Sequence, residues 1–167
     1  MKRVIGFFLI IICFLLQSTL FQHIAFAGIV PNLMIIITSI FGIMEGRTDG
    51  MLVGFACGLL TDIFYGSVLG LNALIYLIIG YADGVANRGF YPDDIKFPIM
   101  FIAASDTAFL ILTYISGFLF RARFNIIHYF LNIMLPELIY TVLAAIIIYI
   151  PLRNLLLSFD RGTEDSE

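Results

Sequence analysis

GMLVGFACGLLTDIFYGSVLG, residues 50–70, has a small or acidic residue at every fourth position: Gly50, Gly54, Gly58, Asp62, Gly66 and Gly70. A spacing of four keeps residues on one face of a helix. Glycine on that face lets another helix approach the backbone, as in small-xxx-small packing within lipid. Asp62 is the only ionisable side chain of the run apart from Cys57 and Tyr65, and a carboxylate in hydrocarbon turns toward protein or trapped water. The ladder divides by task. Gly50, Gly54 and Gly58 form a packing stripe, Asp62 caps its end, and Gly66, Ser67 and Gly70 belong to the turn that reverses the chain. The stripe packs within a bundle or against a single-span partner.

Composition points the same way. Of 167 residues 61% are hydrophobic and 13% charged, against about 25% charged in a soluble domain. The mean hydropathy is +1.04. From Val4 to Met44 there is no Asp, Glu, Lys or Arg. No basic surface interleaved with aromatics suggests nucleic acid. Cys13 and Cys57 lie in apolar runs without CxxC spacing, so they read as hydrophobic filler rather than as a disulfide or metal site.

At about 20 apolar residues per crossing, the chain reads as an all-α polytopic membrane protein. Residues 1–157 form one transmembrane domain with six spans, near 4–26, 32–44, 50–65, 71–86, 97–120 and 126–150. Residues 158–167 form a polar, acidic tail, expected to be disordered. The second and third spans are short, which allows tilted or re-entrant geometry. With the N-terminus inside, Lys2, Arg3, Arg47, Arg88, Lys96, Arg153 and Arg161 are cytoplasmic and only Arg121 and Arg123 lie outside. This obeys the positive-inside rule and places both termini in the cytoplasm. Ala25-Phe26-Ala27 resembles a signal-peptide cleavage site, but the preceding apolar run exceeds the usual 7–15 residues.

Four carboxyls fall within the spans: Asp62, Asp83, Asp106 and Glu137. Asp106 and Glu137 sit at comparable depth in the fifth and sixth spans, with no Lys or Arg at that depth. Their functional reading is a proton or cation path. Their structural reading is a pair of neutral carboxyls bonded to neighbours such as Thr107, Asn132, Tyr140 or Thr141. Four scattered acids do not define a path, and the structural reading is preferred. Asp83, near a span end, reads as hydrated or paired with Arg88. Pro31-Asn32 marks a helix start with proline in the first turn. Pro136 frees a backbone carbonyl near Asn132 and predicts a kink. His23 and His128 read as interfacial. Phe118, Phe120, Phe124, Tyr129 and Phe130 suggest an outer aromatic belt.

No GxSxG, HExxH, Walker A or GxGxxG motif in strand context occurs, so no enzyme activity, metal or cofactor is expected. The remaining classes are a transporter-like unit, a membrane enzyme of unfamiliar type, and an interaction subunit. Residues 54–70 resemble the central signature of the rod shape-determining protein MreD family: a glycine-spaced helix, an Asp, then a G-S-x-L-G turn. Pro31-Asn32, Pro136 and Ile150-Pro151-Leu152-Arg153 are similar too. Glu137 departs from the pattern, so no family role passes to it. The resemblance implies a non-catalytic scaffold in the bacterial inner membrane. Its partner is an MreC-like bitopic protein, and it helps couple MreB filaments to peptidoglycan synthesis by RodA and a class B penicillin-binding protein. The implied fold is similar to the substrate-binding subunits of energy-coupling-factor transporters. That likeness supplies the alternative, a vitamin-type small-molecule transporter subunit. Against it, the first span lacks an AxxxA face and the outer loops are short. If the first span is retained, the purified protein has an N-terminal mass that includes residues 1–27; loss of that mass overturns the six-span reading.

Overall fold

The computed structural model describes residues 2–19, 29–66, 68–89, 95–121 and 129–164. They form an all-helical bundle of six α-helices: α1 Lys2–Ser18, α2 Leu33–Glu45, α3 Arg47–Tyr65, α4 Leu71–Ala86, α5 Lys96–Arg121 and α6 Leu135–Glu164. A 3-10 turn, Asn87–Gly89, follows α4, and a π-helical segment, Phe130–Met134, leads into α6.

The centre of the bundle is α2. Its sequence, LMIIITSIFGIME, is apolar on every side, the pattern of a helix enclosed by others. Every residue from Leu33 to Ile43 is buried, and α2 touches all five other helices. Thirteen residues span about 20 Å at 1.5 Å each, against a hydrocarbon core of about 30 Å. The helix therefore begins inside the protein, and its first backbone N–H groups need partners there. At its C-terminal end the Asn87 amide donates to the carbonyls of Ile43 at 2.6 Å and Met44 at 3.1 Å. Gly46 then turns the chain into α3 at a φ of 95°, in the left-handed region that favours glycine.

The tightest contact is the antiparallel seam between α3 and α4. A Cβ added at Gly50 would strike the Gly80 carbonyl and lie 2.6 Å from the Gly42 Cα of α2. At Gly54 it would strike the Tyr76 carbonyl, and at Gly58 it would lie 2.5 Å from the Ala73 Cα. The reciprocal positions on α4 are equally closed: a Cβ on Gly80 meets the Gly50 carbonyl, and one on Gly84 meets the Arg47 backbone. The stripe is thus spent on contact between backbones of the same chain.

Two helical stretches, Lys96–Gly117 and Phe130–Leu156, are long and apolar enough to cross a membrane. Both present large apolar side chains outward, including Met100, Ile111 and Ile115 from one and Ile139, Leu143 and Ile147 from the other. The helix expected to stop near Ile150 runs on through Pro151 to Glu164, into the segment read as disordered. Proline removes one helical hydrogen bond, and burial of Leu152 and Leu156 holds the turns beyond it.

The seam gives a direct test. Gly80→Ala is expected to cost about 1–3 kcal/mol through overpacking. Gly89→Ala, where the nearest atom to a Cβ is the Phe97 ring at 3.6 Å, is expected to stay within about 0.5 kcal/mol. Thermal unfolding of the two variants in detergent compares them.

Candidate functional site

Asp62 stands in the last turn of α3 and is buried. Helix α4 starts at Leu71, so its first N–H groups lack intrahelical acceptors. The Asp62 carboxylate serves them. Its Oδ2 accepts from the Gly70 N–H at 2.9 Å and the Ala73 N–H at 3.0 Å. Its Oδ1 accepts from the Asn72 N–H at 3.2 Å and from the Asn72 side-chain amide at 2.9 Å. A negative charge at a helix N-terminus is also favoured by the helix dipole. The last residue of α3 hands over to Gly66, whose N–H donates to the Asp62 carbonyl at 3.0 Å. A Cβ on Gly66 would sit 2.9 Å from the Asp62 carboxylate, so glycine is needed there for space. Gly70, at a φ of 97°, is needed for its conformation. Ser67 lies outside the described residues.

A second polar cluster surrounds the sunken N-terminus of α2. Asn32 is its N-cap: Oδ1 accepts from the Ile35 N–H at 3.2 Å and from the Tyr76 hydroxyl at 2.9 Å. The Asn32 N–H donates to Thr141 Oγ1 of α6 at 3.1 Å. Gln17 Oε1 of α1 accepts from the N–H groups of Leu33 at 2.9 Å and Met34 at 3.3 Å. Three other helices, α1, α4 and α6, are thereby tied to one helix end. Pro31 precedes the cap instead of occupying the first turn, and its carbonyl accepts from the Leu33 N–H at 3.2 Å. The fully buried Asp106 belongs to the same cluster, with Thr141 beside it outside hydrogen-bonding geometry. Glu137, half-buried one turn before Thr141 on α6, adds a second carboxyl facing Asp106.

Asp83 faces the bundle interior instead of pairing with Arg88 at a span end. It is 3% exposed, and the Ser105 hydroxyl of α5 reaches its two carboxylate oxygens at 2.7 and 2.9 Å. Its helix faces the core there because Gly80 and Gly84 press that side of α4 against α3 and α2. Pro136 is the second residue of α6, directly after the π-helical segment. A residue without an N–H cannot complete the usual i→i−4 ladder, and the wider turn takes up the mismatch. Of the aromatic belt, Tyr129 stacks on Tyr114 at 4.9 Å between ring centres, and its hydroxyl donates to the Leu110 carbonyl at 3.3 Å. The side chains of Phe118, Phe120 and Phe124 lie outside the described residues, as do His23 and His128.

Sequence reasoning passed over Gln17, Asn72, Tyr76 and Ser105. Gln17 is an amide within the first apolar run, and Asn72 lies just after Gly70 where a helix begins; both carry polar atoms that need partners in an apolar setting. Tyr76 and Ser105 give weaker signals, since tyrosine and serine occur freely in such helices.

These clusters hold helices together; among the described residues no group of three or more His, Cys, Asp or Glu is placed to hold a metal ion. Asp62→Ala leaves four donors without their acceptor and is expected to destabilise the bundle by about 2–3 kcal/mol. Tyr76→Phe removes one hydrogen bond while Asn32 keeps its bond to Ile35, and is expected to cost about 1 kcal/mol. Denaturation of the two variants in one detergent ranks them, and equal costs would contradict the assignment of Asp62 as the cap of α4.

No curated protein and no solved structure matches this chain. The family described as rod shape-determining protein MreD matches residues 1–159, with the Asp62 cap, the Gly66–Gly70 turn and the glycine seam all inside the match. Over nearly its whole length, therefore, the chain belongs to the MreD family of membrane-associated, rod-shape-determining proteins.

Proposed function

We propose that the chain is a non-catalytic scaffold subunit of the cell-elongation machinery, embedded in the inner membrane by six spans with both termini in the cytoplasm. It binds an MreC-like bitopic partner and so helps couple MreB filaments to peptidoglycan synthesis by RodA and a class B penicillin-binding protein. Family membership supports this reading. The observation that carries it is the use made of the buried polar side chains. Asp62, Asn32, Gln17 and Asp83 all bond to backbone or side chains of neighbouring helices. Chemistry on a substrate needs polar groups aimed at a reacting atom, whereas these are aimed at other helices.

The short α2 fits a membrane-embedded bundle. A helix end inside hydrocarbon is tolerated only where protein satisfies its backbone groups, and Gln17 and Asn32 do so. The outward faces of α3 and α4, with Leu52, Phe55, Leu74 and Ile78 exposed, suit lipid or a partner's transmembrane helix. Because Gly54 and Gly58 are filled from within, the partner is met by other surfaces.

Co-expression with the MreC-like protein encoded in the same genome tests the scaffold reading. The two are expected to co-purify in detergent at a fixed ratio, and removal of the chain is expected to turn rods into spheres. Failure to co-purify, together with tight one-to-one binding of a vitamin to the isolated chain, would replace this reading with the transporter one.

A further inference from the structure

We propose that Asp106 of α5, with Glu137 and Thr141 of α6, forms a binding site for one exchangeable monovalent cation, a sodium ion or a proton, that ties the two helices together. Asp62, Asp83 and Asp106 are each buried below 4% exposure, and they differ in one respect. Asp62 accepts four hydrogen bonds and Asp83 is bonded to Ser105. Asp106 is 0% exposed, and neither of its oxygens has a hydrogen-bond partner. An isolated carboxylate in such a place is so costly that it neutralises or acquires a counter-charge.

The surroundings offer no such charge. The N-terminus of α2 points into this cluster, but its N–H groups are already taken by Gln17 and Asn32. Thr141 Oγ1 accepts from the Asn32 N–H, which leaves its remaining lone pair and its proton for the space beside Asp106. The titratable groups that face Asp106 are Glu137 from α6, Tyr129 from the turn before the π-helical segment, and Tyr76 from α4; α2 contributes the neutral Asn32. All are acidic or neutral. Of the described basic side chains, Lys96 and Arg153 stand ten and twelve residues along their own helices from Asp106 and Thr141, Arg47 begins α3, and Arg88 follows the end of α4. Two carboxyls facing each other cannot both ionise without a bridging positive charge.

The π-helical segment alters the backbone ladder at Leu131, six residues before Glu137. The Leu135 N–H donates to the Phe130 carbonyl, five residues back, and Pro136 has no N–H. The Leu131 carbonyl is thereby left without either of its ordinary helical donors. π-helical turns recur at functional sites, and carbonyls released where a membrane helix is interrupted serve as ligands for sodium ions. Carboxylate, hydroxyl and carbonyl oxygens are the ligand types that such hard cations take.

The test is thermal unfolding of the full chain in detergent at constant ionic strength, with NaCl exchanged for choline chloride, at pH 6 and at pH 8.5. If sodium is the ligand, the midpoint rises saturably with sodium at pH 8.5 and less at pH 6, where protons compete. If a proton is held, the midpoint falls between pH 6 and 8.5 whatever the sodium concentration. Tyrosines, which ionise near pH 10 in model peptides, do not contribute in this window. Asp106→Asn is expected to abolish the sodium response or to shrink the pH response, and Glu137→Gln to weaken the first or to displace the midpoint of the second. Should Asp106→Asn fail to fold, Glu137→Gln carries the comparison. A wild-type midpoint indifferent to both sodium and pH would overturn the proposal, as would a response unchanged in these variants.

Discussion

Direct backbone contact between α3 and α4, with Gly50 against Gly80 and Gly58 against Ala73, is the constraint on which the rest of the bundle depends. Within lipid, moving an apolar side chain from hydrocarbon into protein gains little, so helices associate through close packing and hydrogen bonds. Removing the side chains along the seam brings the two backbones together and opens a groove whose third wall is α2. Thr38 and Gly42 of α2 lie against Gly54, Gly50 and Gly80 in that groove. The central helix is therefore positioned by glycines on two neighbours, and a single added methyl at the seam displaces all three.

Close packing sets distances but does not set register along the helix axes; the polar contacts do that. They sit where backbone groups run out of intrahelical partners. Asp62 completes the start of α4, Asn32 and Gln17 complete the start of α2, and Asn87 completes its end. The Gln17, Asn32–Tyr76 and Asn87 contacts link elements distant in sequence, so the cost of an unsatisfied N–H or carbonyl in an apolar interior is converted into specificity of assembly. Asp83 with Ser105 does the same between side chains of α4 and α5. Asp106 departs from the pattern, being as deeply placed as the others but without a hydrogen-bond partner.

Much of this was legible beforehand, for identifiable reasons. The four-residue glycine spacing marked a helix face, and an Asp four residues before the first glycine of a G-S-x-L-G turn had unpaired amides within reach. What was not legible concerns partners. The stripe was equally compatible with a second protein, since spacing says which face is bare but not what lies on it. Asp83 looked like a boundary residue by its position near Arg88, and its burial follows from Gly80 and Gly84 turning that face of α4 inward. Pro31 reads as a first-turn proline by type, but the cap is Asn32, because its side chain reaches both Ile35 and Tyr76.

By itself the sequence determined that the chain is helical and apolar, where its helices begin and turn, and which residues are too small or too polar to face lipid, because these follow from local spacing and from the cost of burying charge. Only the tertiary structure decided that α2 is enclosed, that the glycine seam is closed from within, and that Asp106 meets Glu137 and Thr141. Those are contacts between segments tens of residues apart, and they depend on the angles and offsets at which the helices pack, which no local pattern encodes.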